Sequence, residues 1–180
     1  MFEGRLLSTQ TCQRCFNPSI THQPFNHYTL QMALPSMNEI QTYDLYRLID
    51  HFHRTEIIPD YHCTHCNRRN PATKKLTMIA LPRVLVIHLA RFRGLRKIEK
   101  YVCFPARASI KYMIDNNGYN TQYRLMGIVI HKGASISGGH YISYVRAEDT
   151  WFKTNDDKVT IVQWRTVCKK KAYMLFYERI

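Results

Sequence analysis

Apolar and polar positions divide the chain into one short helical stretch and a long succession of strands. Leu45, Leu48, Ile49 and Phe52 stand at i, i+3, i+4 and i+7, the spacing of one apolar helix face. Ahead of them, Ser36-Met37-Asn38-Glu39 has the form of a capping box, in which a hydroxyl and a carboxylate satisfy the free backbone donors of a helix start. The pattern predicts a helix over 37–53, with His51 and His53 exposed near its end and on different faces.

Elsewhere the period is two, or the run is continuously apolar. Val84-Leu85-Val86-Ile87-His88-Leu89 is β-branched and apolar, which predicts a buried central strand with His88 as a satisfied core residue. Segments 123–131, 140–146, 151–154, 159–162 and 172–177 read as an antiparallel set. Segments 2–7, 24–30 and 102–105 read as extended pieces. Asp115-Asn116-Asn117-Gly118 is a turn signal, and 94–100 reads as a basic loop. Residues 132–139 hold Gly133, Ser135, Ser137, Gly138 and Gly139 and read as a mobile loop. There is no internal repeat.

Composition makes this a globular chain. Its 180 residues are 45% hydrophobic, enough for one domain with a sizeable core. No run approaches the roughly 18 apolar residues of a membrane span, and the first ten residues lack the apolar core of a signal peptide. The expectation is a cytoplasmic or nuclear protein with no membrane partner. The net charge of +13 raises nucleic acid as a partner. The basic residues are scattered and not interleaved with aromatics on one face, so solvated surface is the expected reading and nucleic acid is not. Lys169-Lys170-Lys171 is short and is expected to end a loop before the last strand.

The cysteines change the picture more. Four of the six form Cys12-x-x-Cys15 and Cys63-x-x-Cys66. In an intracellular chain such pairs point to metal rather than disulfides, because two intervening residues let both thiolates face one ion from a tight turn. Four thiolates give a closed structural zinc site, although His62 or His65 could replace one of them. Loss of the ion is expected to unfold this lobe.

A second constellation carries catalytic chemistry. Gly138-Gly139-His140-Tyr141 places a histidine at a strand entrance, behind glycines that let another backbone approach closely. A turn at 147–150 and a returning strand bring Asn155 and Asp156 within reach of that histidine. His140 then reads as a general base, with Asn155 or Asp156 fixing its tautomer. The alternative is that Asn155-Asp156-Asp157 is only a turn. No cysteine has a nucleophile setting: Cys103 precedes Phe-Pro in an extended piece, and Cys168 precedes the lysine run.

The chain as a whole resembles the C-terminal part of the ubiquitin-specific protease family of cysteine deubiquitinases. The motifs run almost end to end. They comprise Phe2-x-Gly4 with Ser8, Cys12-x-x-Cys15, Ser19 before Pro24-Phe25, Tyr61-x-Cys63-x-x-Cys66 and Lys74-Lys75. Leu81-Pro82-x-Val84-Leu85, His88-Leu89-x-Arg91-Phe92 and Phe104-Pro105 follow. The series closes with Tyr123-Arg124-Leu125 and His131, Gly138-Gly139-His140-Tyr141, Trp151 to Asp157, and Ala172-Tyr173-x-Leu175-Phe176-Tyr177.

The resemblance implies an α+β, papain-like cysteine peptidase fold of the ubiquitin-specific protease type. Zinc-ribbon fingers (about 1–75) and an antiparallel palm sheet (about 76–180) would hold ubiquitin. His140 matches the general base, Asn155 the third triad member, and Asp156 a further polar partner. Gly138, Gly139 and Tyr141 match the channel for the ubiquitin tail, and Cys12, Cys15, Cys63 and Cys66 the zinc ligands.

The activity implied is hydrolysis of isopeptide or peptide bonds after the C-terminal glycine of ubiquitin, with ubiquitin and ubiquitinated proteins as partners. Two departures stand out. The cysteine box that supplies the nucleophile belongs upstream of Phe2, with most of the thumb, so the chain alone is expected to be inactive and to expose the surface that packs on the thumb. Ala90 also stands where the family usually has Lys. Two other functions remain as alternatives: a non-catalytic zinc-stapled ubiquitin-binding module, and a basic zinc-containing nucleic-acid binder.

Overall fold

A computed structural model describes residues 1–32, 42–110 and 121–180. In chain order the first elements are β1 (Gly4–Cys12), β2 (Pro18–Phe25), β3 (Tyr28–Gln31), β4 (Thr42–Asp44), α1 (Leu45–Phe52), β5 (Glu56–Cys63) and β6 (Arg68–Ala80). Then come β7 (Val84–Ala90), β8 (Phe92–Arg93), β9 (Arg96–Lys97), β10 (Tyr101–Cys103), β11 (Arg107–Ser109) and β12 (Gln122–Lys132). The last are β13 (His140–Ala147), β14 (Thr150–Asn155), β15 (Lys158–Val162), α2 (Trp164–Val167) and β16 (Ala172–Arg179).

Two sheets dominate this α+β fold. The smaller runs β2-β1-β6-β5 and is antiparallel throughout. The larger runs β15-β14-β13-β12-β16-β7-β3, with β11 added on β12. Its pairings are antiparallel except β3 with β7.

The large sheet buries most of one face. Leu85, Ile87, Leu125, Ile128, Ile130, Ile142, Tyr144, Trp151, Leu175 and Tyr177 are buried there, with Leu45, Leu48 and Ile49 of α1, Tyr43, Val102 and Val167 in the same cluster. On the opposite face the ladder aligns Val86, Phe176, Gly127, Val145, Phe152 and Ile161 across six strands. Val145 and Ile161 are exposed there. Met1 and Phe2 lie against this second face, beside a hollow of about 340 Å³ lined by Val84, Val129 and Phe176 among others. Among the described residues no helix covers it.

The sequence pattern located the strands well, but the helix does not run unbroken over 37–53. Among the described residues of that span the helix is α1, two turns long. Its cap is Asp44, whose Oδ1 accepts from the Tyr46 N–H at 2.9 Å and the Arg47 N–H at 3.3 Å. Thr42 to Asp44 is instead a strand, pairing in parallel with β10. The capping box at Ser36–Glu39 lies outside the described residues, as does the turn at Asp115–Gly118.

His53 also departs from expectation. It is no exposed helix end: Nδ1–H donates to the Leu76 carbonyl at 2.7 Å, and the Tyr28 hydroxyl donates to Nε2. The helix end is thereby tied to the small sheet. Residues 24–30 are not one strand but the end of β2 and the start of β3. The expected basic loop at 94–100 contains a strand, because β8 and β9 pair as a hairpin around Gly94, whose φ of +58° suits glycine.

Candidate functional site

The geometry around His140 is set by two hairpins. β13 and β14 pair with Ala147 opposite Thr150, across a two-residue turn at Glu148-Asp149. β14 and β15 pair with Asn155 opposite Lys158, across Asp156-Asp157. Glu148 and Asp156 both have φ of +53°, the left-handed conformation that primed two-residue hairpins require and that acidic and amide residues tolerate. Register then decides the rest. Ser143 stands opposite Thr154, so Asn155, one residue on, projects to the face of Ile142 and His140.

The result is a defined contact. His140 Nε2–H donates to Asn155 Oδ1 at 2.7 Å. Asp156 Oδ2 lies 3.7 Å from the same nitrogen. With Nε2 carrying the proton, Nδ1 holds the lone pair, and among the described residues it has no hydrogen-bond partner. The imidazole is 44% exposed, so a reactant has access to it. A histidine oriented by an amide oxygen on one nitrogen and open at the other is equipped to take and return a proton. The sequence had left Asn155, Asp156 and a plain turn open. The structure brings both side chains to His140 with Asn155 nearer, and the turn itself begins only at Asp156.

Of the two glycines ahead of His140, Gly139 is in tight quarters. A Cβ on Gly139 would overlap His131 Nε2 and stand 2.6 Å from the Lys132 carbonyl oxygen. Gly138 faces open space. Tyr141 is exposed, with its ring 4.9 Å from that of His131 and 6.0 Å from that of Tyr173. His131 itself is buried, and burial together with the nearby Lys97 ammonium lowers its pKa. The sequence quoted His131 only as part of a motif and read Lys97 as loop. Nothing local marks Lys97 as a contributor, because its carbonyl acceptors lie 34 and 36 positions away.

The cysteine pairs sit at the tips of two other hairpins. Cys12 ends β1 and Cys15 lies in the β1–β2 turn; Cys63 ends β5 and Cys66 lies in the β5–β6 turn. Each turn is followed by a left-handed residue, Phe16 (φ +57°) and Asn67 (φ +49°), which redirects the chain after the second thiol. Because β1 and β6 are adjacent, with Cys12 opposite Ala72, both tips fall at one end of the small sheet. The four Sγ atoms lie within 4.8 Å of one another, with Cys15 and Cys63 3.6 Å apart. A tetrahedron with metal–sulfur bonds of about 2.3 Å has edges of roughly 3.8 Å, so the four thiols fit one ion. His62 and His65 are not part of this group.

The thiols divide electrically. Backbone N–H groups of Cys15 and Arg14 hold the Cys12 thiol down at about 7. At Cys15 the Asn17 backbone N–H favours the thiolate, but burial and the thiols of Cys63 and Cys12 outweigh it and push the group up to about 11. Burial raises Cys66 as well. Competition between anions at one point is what a cation relieves.

The remaining cysteines are placed elsewhere. Cys103 lies on β10 opposite Asp44, and Cys168 follows α2 with its thiol donating to the Arg165 carbonyl at 3.6 Å.

Known proteins match both the sequence and this arrangement. The family model described as ubiquitin carboxyl-terminal hydrolase matches residues 1–177. Ubiquitin carboxyl-terminal hydrolase 8 of Saccharomyces cerevisiae is 36% identical over 196 residues, covering 98% of this chain and 40% of the relative. Ubiquitin carboxyl-terminal hydrolase 23 of Arabidopsis thaliana is 32% identical over 187 residues, covering 99% of this chain and 21% of the relative. A solved SAGA DUB module containing Ubp8 and bound to monoubiquitin superposes with a TM-score of 0.85 at 35% identity, covering 99% of this chain and 40% of that one. Another, bound to ubiquitin aldehyde, gives 0.84 at 33% identity, with coverage of 99% and 41%. The chain thus spans about two fifths of the length of the first of these relatives.

Proposed function

The chain belongs to the ubiquitin carboxyl-terminal hydrolase family, and from that premise we propose that it forms the fingers and palm of a ubiquitin-specific cysteine peptidase. The complete enzyme hydrolyses isopeptide or peptide bonds after the C-terminal glycine of ubiquitin.

His140 is the base. Its Nδ1 takes the proton of a cysteine thiol, and the thiolate attacks the glycine carbonyl carbon. His140 then returns the proton to the departing amine, and the acyl-enzyme is hydrolysed by water activated at the same nitrogen. Asn155 holds the Nε2–H tautomer and receives the charge that develops on the ring, with the Asp156 carboxylate nearby. Gly138, Gly139 and Tyr141 line the approach of the ubiquitin tail, where Gly138 faces open space and leaves room for a second backbone while Gly139 packs on His131.

The observation that carries this reading is the His140–Asn155 contact, made at a strand entrance beside two glycines with Nδ1 open. The four-cysteine cluster holds zinc, which staples the two finger hairpins and takes no part in the chemistry because four thiolates leave no open position. The thiol nucleophile is supplied by a cysteine box outside residues 1–180.

The test is a ubiquitin C-terminal fluorogenic substrate. This 180-residue chain alone is expected to give no hydrolysis. The chain joined to the nucleophile-bearing region of a relative is expected to give hydrolysis that His140→Gln abolishes. Cleavage by the chain alone that depends on His140 would overturn the assignment of the nucleophile. Tight ubiquitin binding without hydrolysis in the joined protein would favour a non-catalytic binding module, a reading supported by the commitment of four of the six cysteines to one cluster.

A further inference from the structure

We propose that Lys97 is a positioning residue for His140, acting through the neck of the loop that precedes it. The inference rests on the reading of His140 as the base.

Lys97 belongs to the small β8–β9 hairpin, outside both main sheets. Its side chain is only 8% exposed. Its ammonium donates to the His131 carbonyl at 2.8 Å and the Gly133 carbonyl at 2.9 Å, and it pairs with Glu99 Oε1 at 3.1 Å. These three partners use the three N–H donors of a lysine. Glu99 is held in turn by Lys171 at 3.2 Å.

Both carbonyls sit at the start of the 133–139 loop, and the two ends of that loop touch. A Cβ on Gly133 would meet the Gly138 oxygen and the Gly139 Cα, each at 3.1 Å. Gly133 has φ of +130°, available to glycine and strained for other residues. Gly139 rests on the His131 ring, which also packs on Phe92 of the same small hairpin at 5.6 Å between centroids.

The neck is therefore held on two sides. The Lys97 ammonium grips its entering carbonyls, and the His131 ring supports its exit. The residue leaving the neck is His140, which opens β13 opposite Lys132. Any loosening at Gly133 or Gly139 is passed directly to the backbone that aims the imidazole at Asn155. Among the described residues His131 Nδ1 is buried without a hydrogen-bond partner, so the ring is held by packing and by its own carbonyl's bond to Lys97. A lysine that served only its own hairpin would have no need of these long-range acceptors.

The experiment uses the 180-residue chain itself, without ubiquitin or a nucleophile, so its outcome is independent of whether the proposed hydrolysis is right. Imidazole nitrogen NMR reports the tautomer of His140. Wild-type chain is expected to show one Nε2–H form. Lys97→Met is expected to abolish that single-tautomer signature of His140. The Cys12/Cys15/Cys63/Cys66 metal content should not change. Lys97→Arg, which keeps the charge and the donors, is expected to restore the signature. Wild-type His140 spectra in Lys97→Met overturn the proposal. If both Lys97→Met and the milder Lys97→Gln lose the β signal of the palm, the lysine is merely structural and the proposal is likewise overturned.

Discussion

Removing the metal from the four-cysteine cluster should melt the distal fingers and leave the palm sheet standing. The small sheet has little else to hold its far end. Around the cluster the buried side chains are Cys12, Cys63 and Ala72, whereas Phe16, Ile20 and Ile57 on the same hairpins are exposed. Burying one alanine methyl contributes about 1 kcal/mol. Structural zinc in small domains binds with an apparent free energy of about 10–16 kcal/mol at neutral pH, and that binding energy is folding energy where no other core exists. The ion thus outweighs the local apolar core roughly tenfold. The palm has a separate core of more than twenty buried residues on and under the large sheet, none of them touching the cluster.

Hydrogen exchange with and without chelator is the assay, after confirming one equivalent of metal per chain. Chelation is expected to speed exchange across 9–25 and 57–75 by about a hundredfold or more, while β7, β12 and β16 hold their protection. Purified chain without bound metal, or fingers whose exchange ignores the chelator, would refute the reasoning.

Three further perturbations follow from the same structure. Gly139→Ala drives a methyl into His131 and the Lys132 carbonyl; it should cost about 1–3 kcal/mol, and unchanged stability with an unchanged His140 NMR signature would show that the neck is not tight. Arg91 is fully buried and donates to the carbonyls of Ala172 (2.6 Å), Ile98 (3.0 Å) and Lys100 (2.7 Å); Arg91→Met should lower stability by on the order of 3 kcal/mol in urea titration, and a loss below roughly 0.5 kcal/mol would contradict that role. Burial lowers the pKa of His53 in the fold, and its Nε2 is already an acceptor for Tyr28. Between the unfolded value of about 6.5 and the lower folded value, the unfolded chain binds the extra proton, so stability should fall as pH drops below about 6.5. His53→Asn, which keeps a donor toward Leu76, should flatten that slope, and an equally steep slope in the variant would reject the explanation.

How much was legible in the sequence depended on how local each feature is. The four cysteines declare themselves because spacing within each pair is a steric demand of one ion, and their convergence needs only that β1 and β6 be neighbours. The strands of the palm were readable from alternation and turn residues, and the ladder places His140 and Asn155 on one face without any further information. An unbroken helix over 37–53 was expected because the apolar spacing gives no sign that Thr42–Asp44 pairs with β10 and that Asp44 caps a new helix. His53 was misread because its partners, Tyr28 and Leu76, are 25 and 23 positions away. Lys97 was invisible for the same reason: its acceptors lie 34 and 36 positions downstream. Long-range hydrogen bonds by single polar side chains leave no periodic mark, whereas packing of a whole strand does.

The central claim is that this chain presents residues 138–141 to the tail of ubiquitin. Its most direct test is NMR titration of isotope-labelled chain with ubiquitin and with ubiquitin lacking its C-terminal residues. The account predicts saturable shifts at Gly138, Gly139, His140 and Tyr141 with intact ubiquitin, and loss of those shifts with the truncated form. Absence of saturable binding, or shifts at these residues that are indifferent to the tail, would contradict it.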